Sequence, residues 1–141
     1  MKKEMILKVV DYNPNVFQYF NANPLNENTT DCVIRAICGV TEQEWAEVLM
    51  DMTLYGIKKG MMPDDPDLYP QYLKDKGWKK HSQPKKRNGK KYKACEWAPL
   101  FKGEAIAHIG EHHMAMISHG KVWDTWDSTD GIVGNYWTKE G

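Results

Sequence analysis

The sequence predicts an α+β fold, with helices in the first part of the chain and an antiparallel sheet in the last third. Three observations carry this. Apolar residues fall at helical spacing after residue 32. From residue 105 the spacing shortens into brief apolar runs bounded by glycine. His119-Gly120 between two such runs suits a two-residue hairpin turn. Helices followed by consecutive antiparallel strands is the α+β order.

Each element follows in chain order. Met5 to Val10 reads as a short strand or part of a helix, and Asn21 to Asn28 as a loop rich in turn formers. The first firm helix starts near Cys32, with Val33, Ile34, Ala36, Ile37 and Val40 on helical spacing. Thr30 or Asp31 is placed to cap it, and Gly39 to end it. Thr41-Glu42-Gln43-Glu44 reads as a capping box for a second helix. That helix carries Trp45, Val48, Leu49 and Met52 on one face and runs to about Tyr55. After a Pro/Asp loop, Leu68 to Lys76 reads as a short helix with Leu68, Tyr72 and Leu73 inward. Lys93 to Phe101 reads as another. The strands are Ala105–Ile109, His113–Ser118 and Lys121–Asp127, with a glycine-flanked finish over 131–137.

A chain of 141 residues suits a single domain over 1–141, long enough to bury a core without staples. Charged residues are 27% and the net charge is zero, so no global field pulls the protein to nucleic acid or a membrane. The Lys-rich stretch from 79 to 93 has few interleaved aromatics and reads as a solvated loop, not a nucleic-acid surface. No apolar run reaches the ~18 residues of a membrane span. The apolar stretch near the start is short, broken by Lys8 and lacks a cleavage site, so a cytoplasmic protein is expected. Cys32, Cys38 and Cys95 are odd in number and unpatterned. That argues against disulfides and against a structural zinc, and no cofactor is expected.

Cys32 is the residue with chemistry in reach. It follows a polar loop and opens a helix, where unpaired N–H groups and the helix dipole favour negative charge. A thiol attacks as thiolate, and an imidazole that takes its proton completes the nucleophile. That imidazole needs its other nitrogen held by an acceptor. His113 opens a strand some eighty residues on, and Asp124 and Asp127 follow on the next strand. Cys38 lies about 240° round the helix from Cys32 and belongs to the core. Arg35 has two readings, an ion pair beside the helix or a substrate carboxylate site. A turn at His119-Gly120 sets Ala115 opposite Asp124, His113 opposite Trp126 and His112 opposite Asp127. Residues opposite each other share a face, so Asp124 falls one diagonal step from His113. His112, its neighbour, points the other way and is the rival base.

This order resembles the papain-like cysteine peptidase superfamily: Cys at the start of a central helix, His opening a strand, Asn or Asp on the next. Asp31-Cys32 also resembles the peptidases that trim double-glycine leaders from bacteriocins. Further blocks resemble small proteins of Firmicutes and their phages: Thr30 to Ala36, Tyr72-Leu73 to Gly77-Trp78, His113, Asp124 to Asp127, and Val133 to Trp137. The resemblance implies a papain-like fold and a Cys-His-Asp hydrolase acting on an amide bond of a peptide or protein. It prefers Asp127 as the orienting acid, brought opposite His113 by one bulge, with Asp124 as the alternative. It also implies an amide side chain six residues before the cysteine as an oxyanion donor. That position is Asn26, with Asn28 as a rival. Two other readings keep the fold: a catalytically inactive binding protein of phage or prophage origin, and a thiol deamidase or acyltransferase.

Overall fold

The structure, a computed structural model, describes residues 16–139, so the expectation for Met5 to Val10 lies outside it. The architecture is mixed α+β. Among the described residues, four helices pack on one six-stranded sheet. The helices are α1 (Cys32–Thr41), α2 (Trp45–Lys59), α3 (Tyr69–Asp75) and the single turn α4 (Ala94–Trp97). The strands are β1 (Phe17–Tyr19), β2 (Trp78–His81), β3 (Ala105–Ile109), β4 (His113–Ser118), β5 (Lys121–Asp124) and β6 (Val133–Lys139). Their order across the sheet is β1-β5-β4-β3-β6-β2. All neighbours are antiparallel except β1, which lies parallel to β5.

Period-two alternation divides β3 and β4 between two cores. Ile106, Met114 and Met116 join Ile34, Ile37, Met52 and Leu73 beneath α1 to α3. Ala105, Ala107, Ala115 and Ile117 join Trp97, Val122 and Val133 beside α4. The small alanines on that second face leave room for Trp97, which stacks with Phe101 and Tyr136 at centroid separations of 4.7 Å.

The turn after β4 has the expected form. His119 and Gly120 take φ of 54° and 73°, and the register pairs Ser118 with Lys121 and Met116 with Trp123. The helix boundaries differ from expectation at several points. α2 runs past Tyr55 to Lys59, with Gly56 inside it, and α4 ends at Trp97, well short of Phe101. Gly39 does not end α1; it lies inside it, and a Cβ there would come within 2.6 Å of the Met116 sulfur. Its smallness lets α1 seat tightly on β4, and the left-handed position that closes the helix belongs to Glu42, at φ 60°. Nor does Thr41 cap α2. Its hydroxyl donates back to the Ile37 carbonyl at 2.7 Å. Glu44 instead precedes α2, and its N–H donates to the Glu47 carboxylate at 3.2 Å.

The basic segment splits in two. Lys79 and Lys80 lie on β2, and residues 85–91 form a turn closed by a Lys85–Lys91 bridge. Lys86 and Lys93 are paired with Glu96 and Asp130 at 2.9 and 3.1 Å. No described helix is long and apolar enough to cross a membrane.

Candidate active site

Three element ends meet at one end of the sheet. Cys32 is the first residue of α1, His113 the first of β4 and Asp124 the last of β5. Because β4 and β5 are antiparallel neighbours, the start of one and the finish of the other fall together. Gly39 touching Met116 shows that α1 runs along β4, which carries the helix start toward His113.

His113 is held from both sides. Its Nε2 bonds Asp124 Oδ2 at 2.5 Å. Both oxygens of Asp124 are acceptors here. Oδ1 takes Arg35 Nη2 at 3.1 Å and the Thr125 N–H at 2.8 Å, and Oδ2 also takes the Ser128 hydroxyl at 2.6 Å. A carboxylate that only accepts requires the proton on Nε2, so Nδ1 is the nitrogen left for the cysteine. Burial is the largest influence on His113 and pulls its pKa down. Hydrogen bonds to Asp124 and then Cys32, with the charges of both, outweigh it and raise the imidazole from 6.5 to about 9. The ring of Trp126 leans on the imidazole, centroids 4.8 Å apart at 45°. The His113 side chain is 18% exposed and Asp124 is fully buried.

Asp31 is not the side-chain cap expected of it. It makes no cap bond; its carboxylate binds Arg35 Nη1 through Oδ1 and the Trp45 indole N–H through Oδ2, at 2.8 Å. Arg35 is buried and its guanidinium lies between Asp31 and Asp124. Of its two readings, the structure gives the ion pair. The first N–H groups of α1 therefore have neither an intrahelical acceptor nor a side-chain cap, and they point to where Cys32 begins the helix.

Cys32 and His113 line a cleft of about 760 Å³. Its walls include Asn28, Thr30, Asp64, Tyr69, His112 and Trp126. Thr30 donates to Asp64 at 3.2 Å, which ties the loop before α1 to the loop before α3.

The structure leaves two of the sequence-derived residues out of this group. Asp127 does not meet His113. Its Oδ1 accepts the Thr129 N–H and hydroxyl at 3.0 and 2.5 Å, and its buried Oδ2 has no partner among the described residues. The backbone leaves β5 at Asp124, so there is no bulge to bring Asp127 opposite the histidine. Asn26 does not line the cleft. It takes a left-handed φ of 58° in a turn, and its Oδ1 accepts from Tyr19 and Asn21 at 3.3 and 3.5 Å. Asn28 lines the cleft in its place, and His112 also lines it, with its side chain largely exposed. Trp45 and Ser128 are also members of the network; Ser128, which with Asp127 resembles the Asp-Ser element of the papain-like superfamily, serves Asp124 here.

The other thiols are placed differently. Burial pushes Cys38 up to about 11, with Asp31 adding to the rise, and burial likewise raises Cys95. Among the described residues no group of His, Cys, Asp and Glu is arranged to hold a metal ion. Comparison with protein-family models, curated proteins and solved structures finds no match to this chain.

Proposed function

We propose that the protein is a cysteine-dependent hydrolase of papain-like type, which opens an amide bond of a peptide or protein with Cys32, His113 and Asp124. The observation that carries this reading is the bond from His113 Nε2 to buried Asp124, with Cys32 on the same imidazole at a helix start. An Asp that serves only packing needs no imidazole, and a histidine that serves only packing needs no thiol at a cleft.

The chemistry follows from the geometry. His113 Nδ1 takes the Cys32 proton, and Sγ attacks the carbonyl carbon of the amide. The negative charge that forms on the carbonyl oxygen meets the free N–H groups at the start of α1, with Asn28 as the side-chain donor. His113 gives its proton to the leaving amine as the C–N bond breaks, which leaves a thioester on Cys32. Water then loses a proton to His113 and adds to the thioester, and the acid leaves with the thiol restored. Asp124 accepts from Nε2 and keeps the ring in the tautomer that points Nδ1 at the sulfur. Trp126 packs against the imidazole. This assignment follows the strand register in preferring Asp124 over Asp127.

The experiment is labelling with a thiol-directed peptidyl acyl probe, followed by mapping of the modified residue. The expected result is one adduct, on Cys32, that is lost in His113→Ala. Labelling spread over Cys38 and Cys95, or equal labelling in His113→Ala, would count against the hydrolase. Release of ammonia instead of a new amino terminus would turn the reading to a deamidase.

A further inference from the structure

The charged and titratable groups at the site form a single row: Asp31, Arg35 and Asp124, all buried, then His113 and Cys32 at the cleft. Every adjacent pair in the row is in contact. The row begins at α2, where the Trp45 indole donates to Asp31, and ends in the cleft. Cys32 and His113 end in the cleft, and Arg35 borders it with its guanidinium taken up by Asp31 and Asp124, so the first three need a reason beyond substrate contact. A buried guanidinium between two carboxylates is costly to hold unless both are bonded, and here both are. Burying Arg35 to 6% exposure is therefore a built feature and not an incidental surface pair.

We infer that Arg35 and Asp31 are positioning residues that set the charge felt by His113, so that the pH at which the imidazole gives up its proton is tuned from the far side of Asp124. The reading rests on the hydrolase assigned above and extends it. The physics fixes the sign of each member's effect. Arg35 shares the Asp124 carboxylate with the imidazolium and repels it through that shared group, so Arg35 favours release of the proton. Asp31 offsets Arg35 and favours retention. Other groups also face the imidazole: Cys32 from α1, Glu111 and His112 from the segment before β4, His108 from β3, and Asp64 and Tyr69 across the cleft. Of these, only Cys32 adjoins Asp31, as the next residue of the chain, and no bond joins the others to Arg35 or Asp31.

A brace that served packing alone would behave otherwise. Neutralising either end would loosen Asp124 and shift His113 the same way, or not at all. Opposite shifts separate the two roles. The test is a proton NMR titration of the His113 ring in the full chain, with its resonance assigned by loss in His113→Gln. Arg35→Met is expected to move the midpoint up, and Asp31→Asn to move it down, each by about one pH unit for a single charge at this depth. Arg35→Lys, which keeps the charge, is expected to restore most of the wild-type midpoint. Midpoints unmoved in both neutralising variants, or moved in the same direction, would overturn the inference. Should Arg35→Met fail to fold, Arg35→Gln takes its place: an upward midpoint set against the downward one of Asp31→Asn supports the inference, and one that is unmoved or falls overturns it. The titration is read on the imidazole itself. An unreactive Cys32 with the opposite shifts intact would therefore count against the hydrolase and not against the tuning.

Discussion

The start and the middle of α1 carry the same residue type to opposite fates. Cys32 opens the helix beside a cleft, with an imidazole against it and unpaired N–H groups beneath. Six residues on, Cys38 lies in the apolar core with Ile34, Ile37 and Met116, 4% exposed. Burial there pushes the thiol up to about 11. Helix geometry alone separates them, since six residues turn the side chain by about 240°. The helix start thus lies at the candidate site and its middle in the core, on one short element. The difference teaches that a cysteine's neighbours, and not its helix, decide whether it is chemistry or packing.

The largest test of that contrast is alkylation of the native protein. Cys32→Ala is expected to remove almost all reaction with iodoacetamide at neutral pH, and Cys38→Ala almost none. A ratio below about tenfold between the two sites would erase the distinction. Next in size is the contrast between the two aspartates. Asp124→Asn leaves the imidazole in the wrong tautomer and is expected to lower turnover by about 10³–10⁴. Asp127→Asn is expected to change it by less than about threefold, because that carboxylate binds Thr129 and not the ring. Kinetics of both variants on any cleaved peptide check this.

Removing packing at the other end sharpens the comparison from the opposite side. Met116→Ala deletes a buried side chain under α1 and is expected to cost about 2–5 kcal/mol of unfolding free energy in a urea titration. The pH dependence of Cys32 alkylation is expected to stay as in wild type. Smallest is the pH dependence of stability itself. The folded state holds the His113 proton more tightly than the unfolded chain, whose midpoint is near 6.5. The stability this contributes is full below that value and is lost as pH rises to about 9. The gap in melting temperature between wild type and His113→Gln is therefore expected to be widest near pH 6 and to narrow by pH 9.5.

What the sequence revealed follows the range of the interactions involved. Strands β3 and β4 and the turn after β4 were legible because alternation and a two-residue turn are local signals. The register they imply also places Asp124 diagonal to His113, and the resemblance that favoured Asp127 carried less of the geometry than the pairing did. The short strand β1 was not legible. It has three residues, and its partner β5 lies about a hundred positions away. Strand β2 was read as the start of a solvated basic run. It is an edge strand, and Lys79 and Lys80 put charge on that edge, which disfavours pairing with another strand. Asn26 satisfied the spacing of an oxyanion donor, yet spacing says nothing of the left-handed turn that ties its side chain to Tyr19 and Asn21. Arg35 and Asp31 sit four residues apart, a spacing that permits a pair. Their link through Asp124 spans 89 residues and exists only once the sheet has formed.

The most direct measurement is the rate of Cys32 alkylation against pH in wild type and in His113→Ala. A Cys32–His113 couple is expected to give the wild type substantial reaction well below pH 8, and His113→Ala is expected to lose that acidic reactivity and follow an ordinary thiol. Wild-type and variant curves that coincide, both rising only above about pH 8, would show that no imidazole acts on this sulfur.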